Sequence, residues 1–234
     1  MTHRFFVEDD VAEEVVLGGA QARQIANVLR LKPGEQIALV RDGLESLVVL
    51  ESVDASAVRG RCISKHPVDA EPRVRLTLGL PILRGDRTEE VIEAVTQLGV
   101  SGIVPFVSSR SVVRSLPDAK RERWARVARE AAETARRGRV PAIGEMQDWG
   151  KLFDVLEAPV LVGWESEVLV KLEDAVPRST HLSLVIGPEG GLAMEEIVLA
   201  RARGAVTVSL GPRNLRSETA ATAAVARVMA ALEP

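Results

Sequence analysis

The sequence predicts an α/β protein in which a small β-rich unit precedes a larger domain built on a parallel sheet. In residues 1–68, short apolar segments are separated by turns at Lys32-Pro33-Gly34-Glu35 and Arg41-Asp42-Gly43, a spacing typical of a small barrel. From residue 73 onward, strand-like and helical patterns alternate, which favours a parallel sheet. The segment 66–72 places two prolines around polar residues and is the predicted linker. We therefore expect two domains, at residues 1–70 and 73–234.

Hydrophobic periodicity predicts the order of the elements. In the first unit we expect strands at 4–7, 36–40, 46–53 and 58–63, with a short helix at 20–31. In the second unit we expect strands at 74–80, 102–107, 159–164, 182–186 and 206–210, and helices at 88–98, 119–137, 193–203 and 218–232. Gly204 is expected to stop the third of these helices.

The composition narrows the possible function classes. Hydrophobic residues make up 46% of the 234 residues, but aromatic residues only 3%, so the core is aliphatic and offers few rings on which bases could stack. The single cysteine, Cys62, excludes a disulfide framework and a Cys-rich zinc site, and no metal is expected. No signal-peptide core follows Met1, and the longest uncharged run, 94–109, contains glycines and a proline. We therefore expect a cytoplasmic protein without a membrane segment.

Charge is unevenly distributed along the chain. The formal net charge is −3, yet residues 110–139 carry ten basic and four acidic groups. Such a segment on a mildly acidic protein indicates either a solvated helix face or a local contact with a polyanion. Eight of its basic residues are expected along the polar face of the long helix: Lys120, Arg121, Arg123, Arg126, Arg129, Arg136, Arg137 and Arg139.

Two glycine-containing segments near the C-terminus carry most of the functional signal. Gly187-Pro188-Glu189-Gly190-Gly191 and Leu210-Gly211-Pro212-Arg213-Asn214-Leu215-Arg216-Ser217-Glu218-Thr219-Ala220 each follow a predicted strand and precede a helix. Ligands of open α/β sheets bind at such strand ends, and the charged side chains here suit a polar, nucleotide-like ligand. Neither segment matches a dinucleotide or phosphate-binding glycine motif. The plainer interpretation is a tight turn with a surface ion pair between Arg216 and Glu218.

Together, these two segments resemble the SPOUT-class methyltransferases, and in particular the family that methylates N3 of a uridine in small-subunit (16S) ribosomal RNA. Shorter similarities run along the chain: Arg4-Phe5-Phe6-Val7, Val28-Leu29-Arg30-Leu31-Lys32-Pro33-Gly34, Gly85-Asp86-Arg87, Ser109-Arg110-Ser111-Val112 and Arg139-Val140-Pro141. The chain departs from the family pattern at Gln24, Thr134 and Ala94, where the family often has His, Gln and a basic residue.

The resemblance implies a fold and its partners. It implies a C-terminal parallel-sheet domain knotted as a trefoil that binds S-adenosylmethionine, and an N-terminal PUA-like β-barrel that helps to grip RNA. It also implies a homodimer formed through the C-terminal domain. The RNA partner is small-subunit ribosomal RNA, either naked or within the assembled subunit.

Site residues follow from the resemblance. The expected cofactor-binding residues are Leu161, Val162, Gly163, Ile186, Gly187, Glu189, Gly190, Leu210, Gly211, Leu215, Arg216, Glu218, Thr219 and Ala220. The catalytic candidates are Glu189, Arg216 and Glu218, with Arg216 able to stabilise a developing uridine anion. The expected RNA-binding residues are Arg4, Arg30, Lys32, Arg110, Arg114, Arg123, Arg136 and Arg139.

Two other functions remain open. The same fold serves 2′-O-ribose methyltransferases that act on transfer or ribosomal RNA, and the chain could instead be a non-catalytic RNA-binding assembly factor. Binding of S-adenosylmethionine separates the last from the two enzymes.

Overall fold

The computed structural model describes residues 2–233 and divides the chain into two compact units. The first unit comprises residues up to Glu71 together with Ala132–Arg139, and the second comprises Pro72–Ala131 and the chain from Val140 onward. Glu71 ties the inserted segment to the first unit, because its Oε1 accepts hydrogen bonds from the amides of Gly138 (2.8 Å) and Arg139 (3.1 Å). Local sequence patterns did not predict that Ala132–Arg139 belongs to the first unit.

The first unit is built on a five-stranded sheet. Its strands are β1 (His3–Phe6), β2 (Glu14–Gly18), β3 (Gln36–Arg41), β4 (Leu44–Val53) and β5 (Ala57–Pro67), in the order β1-β3-β4-β5-β2. β1 and β3 are parallel and the other pairs antiparallel. A short helix, α1 (Gly19–Arg23), continues into a π-helical turn at Gln24–Val28. Alternate residues of β4 (Ser46, Val48 and Leu50) are buried, as a sheet with one solvated face requires.

The second unit is built on a parallel seven-stranded sheet. Its strands are β6 (Arg75–Pro81), β7 (Gly102–Val107), β8 (Ala142–Ile143), β9 (Gln147–Asp148), β10 (Val160–Gly163), β11 (His181–Ile186) and β12 (Val206–Val208). Its helices are α2 (Arg87–Gln97), α3 (Asp118–Thr134), α4 (Trp149–Val155), α5 (Leu172–Ala175), α6 (Met194–Ala202) and α7 (Ser217–Leu232). The strand order is β12-β10-β11-β6-β7, and both β8 and β9 pair with β7. The predicted parallel α/β sheet is confirmed.

Both faces of this sheet are covered by apolar side chains. Leu161 and Leu184 belong to a core shared with α2 and α7, whereas Val162 and Val185 belong to a core shared with α4 and α6. Successive strand residues point to opposite faces, so a strand covered on both sides reads as a continuous apolar run. This explains why the apolar runs in the sequence predicted the bounds of β10 and β11 closely.

In the first unit, the helix expected at 20–31 ends at Val28 and its second half is π-helical. In the second unit, the predicted helix bounds hold with one structural difference. The helix expected at 119–137 ends at Thr134. Arg136 adopts a left-handed conformation (φ 57°), and the amide of Arg137 bonds to the carbonyl of Ala132, so the helix cannot continue. The short helices α4 and α5 and the strand β2 were not predicted. Across residues 2–233, no helix combines the length and hydropathy needed to span a membrane.

Candidate active site

Three loops that leave the carboxyl ends of β10, β11 and β12 enclose a cavity of about 1150 Å³. The first loop contributes residues between 163 and 171, the second 186–191 and the third 209–217. Arg87 of α2, Glu173 beside the first loop, and Glu218, Ala220 and Arg227 of α7 complete the lining. A cavity therefore lies at the strand ends where the sequence predicted a site, and its volume admits a nucleotide-sized ligand.

Glu167 holds the first loop. Its Oε2 accepts hydrogen bonds from the Thr207 hydroxyl (2.7 Å) and the Arg201 guanidinium (3.1 Å), and its Oε1 accepts from the amides of Leu169 (3.0 Å) and Val170 (3.3 Å). The Thr207 hydroxyl above all, and then the Leu169 amide, lower the pKa of Glu167 to about 2. Although Glu167 lines the cavity, both oxygens of its carboxylate bond to the protein. The carboxylate therefore shapes the loop rather than binding a ligand.

The second loop depends on glycine. Gly191 has a φ of +70°, and a Cβ at this position would overlap the carboxylate of Glu165. Only glycine combines a left-handed backbone with that lack of space. The Glu189 carboxylate accepts a hydrogen bond from the Arg84 amide (3.2 Å), so this catalytic candidate is turned toward the segment before α2.

Glu218 occupies the first turn of α7, at the end of the third loop. The Arg87 Nε lies 3.9 Å from its Oε1, while its Oε2 is buried without a hydrogen-bond partner among residues 2–233. Arg216, two residues earlier, is exposed and lines the same cavity. A residue from another element holds the third loop in place. The Arg227 guanidinium of α7 donates a hydrogen bond to the carbonyl of Leu210 (3.0 Å) and pairs with Glu173.

The cavity brings together most of the expected cofactor residues. Its lining includes Gly163, Ile186, Gly187, Glu189, Gly190, Leu210, Gly211, Leu215, Arg216, Glu218 and Ala220. Leu161 and Val162 do not reach it, because both lie within β10 with side chains in the two cores. Thr219 is exposed and is not among the residues that line the cavity.

Several lining residues were not assigned a cofactor contact from sequence. These are Arg87, Glu165, Glu167, Lys171, Glu173 and Arg227, among others. The motif Gly85-Asp86-Arg87 was a signal that could have found Arg87. Arg227 gave no local signal, since it enters the site only through the packing of α7.

Seven of the eight expected RNA-binding residues are exposed: Arg30, Lys32, Arg110, Arg114, Arg123, Arg136 and Arg139. Three of these exposed side chains also bond within the protein: Arg110 to the Gly190 carbonyl (3.2 Å), Arg114 to the Ser109 carbonyl (2.6 Å) and Arg123 to Glu89 (2.7 Å).

Two basic residues differ from the sequence interpretation. The Arg4 side chain is largely buried, where it pairs with Glu45 and donates to the Arg137 carbonyl (3.0 Å). Burial lowers the pKa of Arg4, although Glu45 opposes this effect. Arg137 is 2% exposed and pairs with Glu71, so it does not lie on the polar face of a helix. Both corrections have one cause: a buried guanidinium needs partners, and these two have carboxylates that the sequence pattern could not reveal.

Comparison with known proteins identifies the relatives of this chain. Residues 70–229 match the family model of the RNA methyltransferase domain. The chain is 32% identical to ribosomal RNA small subunit methyltransferase E of Bacillus subtilis, over 93% of this chain and 92% of that protein.

Solved structures agree with this assignment. The structure of a ribosomal RNA small subunit methyltransferase E from Neisseria gonorrhoeae bound to S-adenosyl methionine matches with a TM-score of 0.90 and 28% identity, over 97% of this chain and 96% of that chain. A putative methyltransferase from Legionella pneumophila, in complex with bound S-adenosylmethionine, matches with a TM-score of 0.89 and 28% identity, over 99% and 98% of the two chains.

Proposed function

Since this chain belongs to the RNA methyltransferase family, and within it to the ribosomal RNA small subunit methyltransferases E, we propose that it transfers a methyl group from S-adenosylmethionine to N3 of a uridine in 16S ribosomal RNA. The observation that carries the proposal is the cavity formed by three loops at the carboxyl ends of β10, β11 and β12. Two relatives of closely similar fold were solved with this methyl donor bound.

The residues present suit the donor. Glycines at 187, 190 and 191 leave backbone groups accessible, and Ile186, Leu210 and Leu215 offer apolar surface for an adenine ring. The buried, unpartnered Oε2 of Glu218 leaves an acceptor for a polar group in the cavity. Because S-adenosylmethionine carries an activated methyl on a sulfonium cation, the protein contributes mainly binding and alignment. Glu189, Arg216 and Glu218 are our candidates for contacts to the reacting groups.

Loss of the N3 proton leaves negative charge on the uridine ring. Arg216 is the proposed source of positive charge for this anion, because its guanidinium is exposed at the cavity. The target base has to be unpaired or extruded, since N3–H normally pairs. The proposed proton acceptor is either Glu218 or water. The dependence of turnover on pH in Glu218→Gln, described below, separates the two.

Finer features of the assembly are part of the same proposal. A trefoil knot fits the path of the chain, which passes from β10 to β11 on one side, to β12 on the other, and then into α7, which packs against α2. The five-stranded first unit corresponds to a PUA-like barrel that grips RNA. A homodimer through the C-terminal domain would cover Val168 and Leu169, which line or adjoin the cavity while 79% and 87% exposed. The proposed substrate implies a cytoplasmic location, with either naked RNA or the assembled subunit as the form recognised.

The decisive experiment maps modified nucleosides. Small-subunit ribosomal RNA from a deletion strain is compared by mass spectrometry with RNA from the same strain complemented by this protein. We expect 3-methyluridine to disappear in the first and return in the second. Return of a 2′-O-methyl nucleoside would instead support a ribose methyltransferase. Failure of the purified protein to bind S-adenosylmethionine in calorimetry would exclude both enzymes and favour an assembly factor.

A further inference from the structure

The turn at residues 108–111, which follows β7, lies against the glycine loop 187–191. The turn is closed by its own bonds, since the Ser108 amide donates to the Ser111 hydroxyl (2.9 Å) and the Ser111 amide to the Ser108 carbonyl (3.1 Å). Both serines are buried. The turn is therefore a fixed surface rather than a free loop.

One buried carboxylate joins this turn to the segment after the glycine loop. Glu196 Oε1 accepts a hydrogen bond from the Ser109 amide (2.7 Å), and its Oε2 accepts from the Ala193 amide (2.8 Å). The Trp149 indole donates to the Glu196 carbonyl (3.0 Å) and packs against Phe106 of β7. Glu196 is thus tied at its backbone and at both carboxylate oxygens.

Close contact continues along the glycine loop itself. The Arg110 guanidinium donates to the Gly190 carbonyl (3.2 Å). A Cβ at Gly190 would lie 3.0 Å from the Arg110 Cβ and 3.1 Å from the Arg110 carbonyl oxygen, so a larger residue would require the two segments to move apart by a few tenths of an ångström. The loop's own bond runs from the Gly191 amide to the Pro188 carbonyl (2.8 Å). Its shape is therefore set largely by the neighbouring turn.

We propose that Glu196 is a positioning residue for the methyl-donor pocket: by binding the amides of Ser109 and Ala193, it clamps the turn 108–111 against the glycine loop whose backbone lines that pocket. This inference rests on the proposed function, because it takes the pocket's ligand to be S-adenosylmethionine. Glu196 itself does not line the cavity, so its effect passes through the loop. Arg110 acts in the same clamp, in addition to any contact with RNA.

Glu196→Gln tests the clamp. The new amide group presents N–H to the amide of either Ser109 or Ala193, so one of the two bonds is lost. If the shaped loop then forms in a tenth of the molecules, the Kd for S-adenosylmethionine rises about tenfold. The matched control is Glu195→Gln, an exposed carboxylate on the same helical turn. We expect the control to bind the donor as the wild type does.

Two further measurements separate positioning from simple loss of stability. Glu71→Gln removes another carboxylate that clasps backbone amides, but in the first unit, and should lower the Tm without changing the Kd for the donor. In hydrogen exchange without any ligand, peptides covering 187–193 should exchange faster in Glu196→Gln and not in Glu71→Gln. In turnover, Glu196→Gln should raise the KM for the donor and keep kcat at saturation within about twofold of the wild type.

Arg110→Ala keeps the test decisive if Glu196→Gln fails to fold. This variant shortens an exposed side chain and should weaken donor binding about threefold or more, because Gly190 loses its hydrogen-bond donor. When combined with Glu196→Gln, its effect should be less than additive, since both act on one turn. A wild type that binds no donor would refute the proposed function. A wild type that binds it, with an unchanged Kd in Glu196→Gln or Arg110→Ala, would refute only the clamp.

Discussion

Glu218 and Arg216 differ in their surroundings although they lie only two positions apart in the sequence. Glu218 keeps one buried oxygen without a donor among residues 2–233, and its other oxygen lies near Arg87. Arg216 is exposed at the cavity. An acceptor that lacks a donor in the protein is satisfied best by a bound ligand, whereas an exposed cation is best used where charge develops during the reaction.

Replacement of these two residues should therefore affect turnover differently. We expect Arg216→Ala to lower kcat by about 10²-fold, through lost stabilisation of the uridine anion. Glu218→Gln should lower kcat and flatten the acidic limb of the pH–rate profile if the carboxylate accepts the proton. Turnover against pH measures both effects, with Arg75→Ala, an exposed arginine at the start of β6, as the control. Unchanged turnover in both variants would contradict the assigned roles.

Glu167 gives the site a measurable pH dependence. Its pKa is lowered from 4.5 to about 2, so its ionised form contributes stability above pH 4.5 that is lost as pH falls toward 2. We expect Glu167→Gln to be less stable than the wild type at pH 7 and the two to converge between pH 4.5 and 2. Urea unfolding of both proteins across this range measures the difference. A gap that stays constant down to pH 2 would contradict the assignment.

At the scale of single elements, two glycines of the second unit share a left-handed backbone but differ in how crowded they are. Gly191 and Gly204 both have left-handed backbones, with φ values of +70° and +82°. A Cβ at Gly191 would overlap Glu165, whereas a Cβ at Gly204 would meet nothing within 4 Å. Backbone strain is thus shared by the two positions, and of the two only Gly191 is crowded.

This difference makes Gly204→Ala a control for Gly191→Ala. Each substitution should cost about 1–2 kcal/mol of stability through the left-handed backbone. Only Gly191→Ala should also displace Glu165 and weaken binding of S-adenosylmethionine, by at least about tenfold. Thermal unfolding and calorimetry of the two variants measure the two effects. Equal donor affinity in both variants would show that the loop tolerates a side chain there.

For the whole molecule, the distribution of charge bears on RNA binding. Several arginines of the basic segment are bonded within the protein, yet Arg136 and Arg139 remain exposed. Arginines that contact phosphates displace counterions, so the affinity for RNA falls steeply with salt. Such contacts position the RNA without reading its sequence.

The salt dependence of RNA affinity should report these two arginines. In a plot of the logarithm of the RNA-binding constant against the logarithm of the salt concentration, we expect the double variant Arg136→Ala/Arg139→Ala to make the negative slope shallower by about 1.4–1.8. The matched control is Arg75→Ala/Arg178→Ala, which removes two exposed arginines outside the basic segment and makes the same change in net charge. Fluorescence anisotropy with a small-subunit ribosomal RNA fragment provides the measurement. An equal reduction in both double variants would indicate a general charge effect instead.

Features that depend on neighbouring residues could be predicted from the amino-acid sequence. Alternating strand and helix patterns predicted the parallel sheet, and the glycine segments after β11 and β12 predicted where the cavity would open. The sequence did not indicate which charged groups face the cavity and which bond within the protein, because folding brings those groups together. Arg87 meets Glu218, Arg4 meets Glu45, and Glu196 reaches Ser109 across many intervening residues. Such pairs do not produce a periodic pattern in the sequence, because the packing of distant segments, and not local conformation, brings them together.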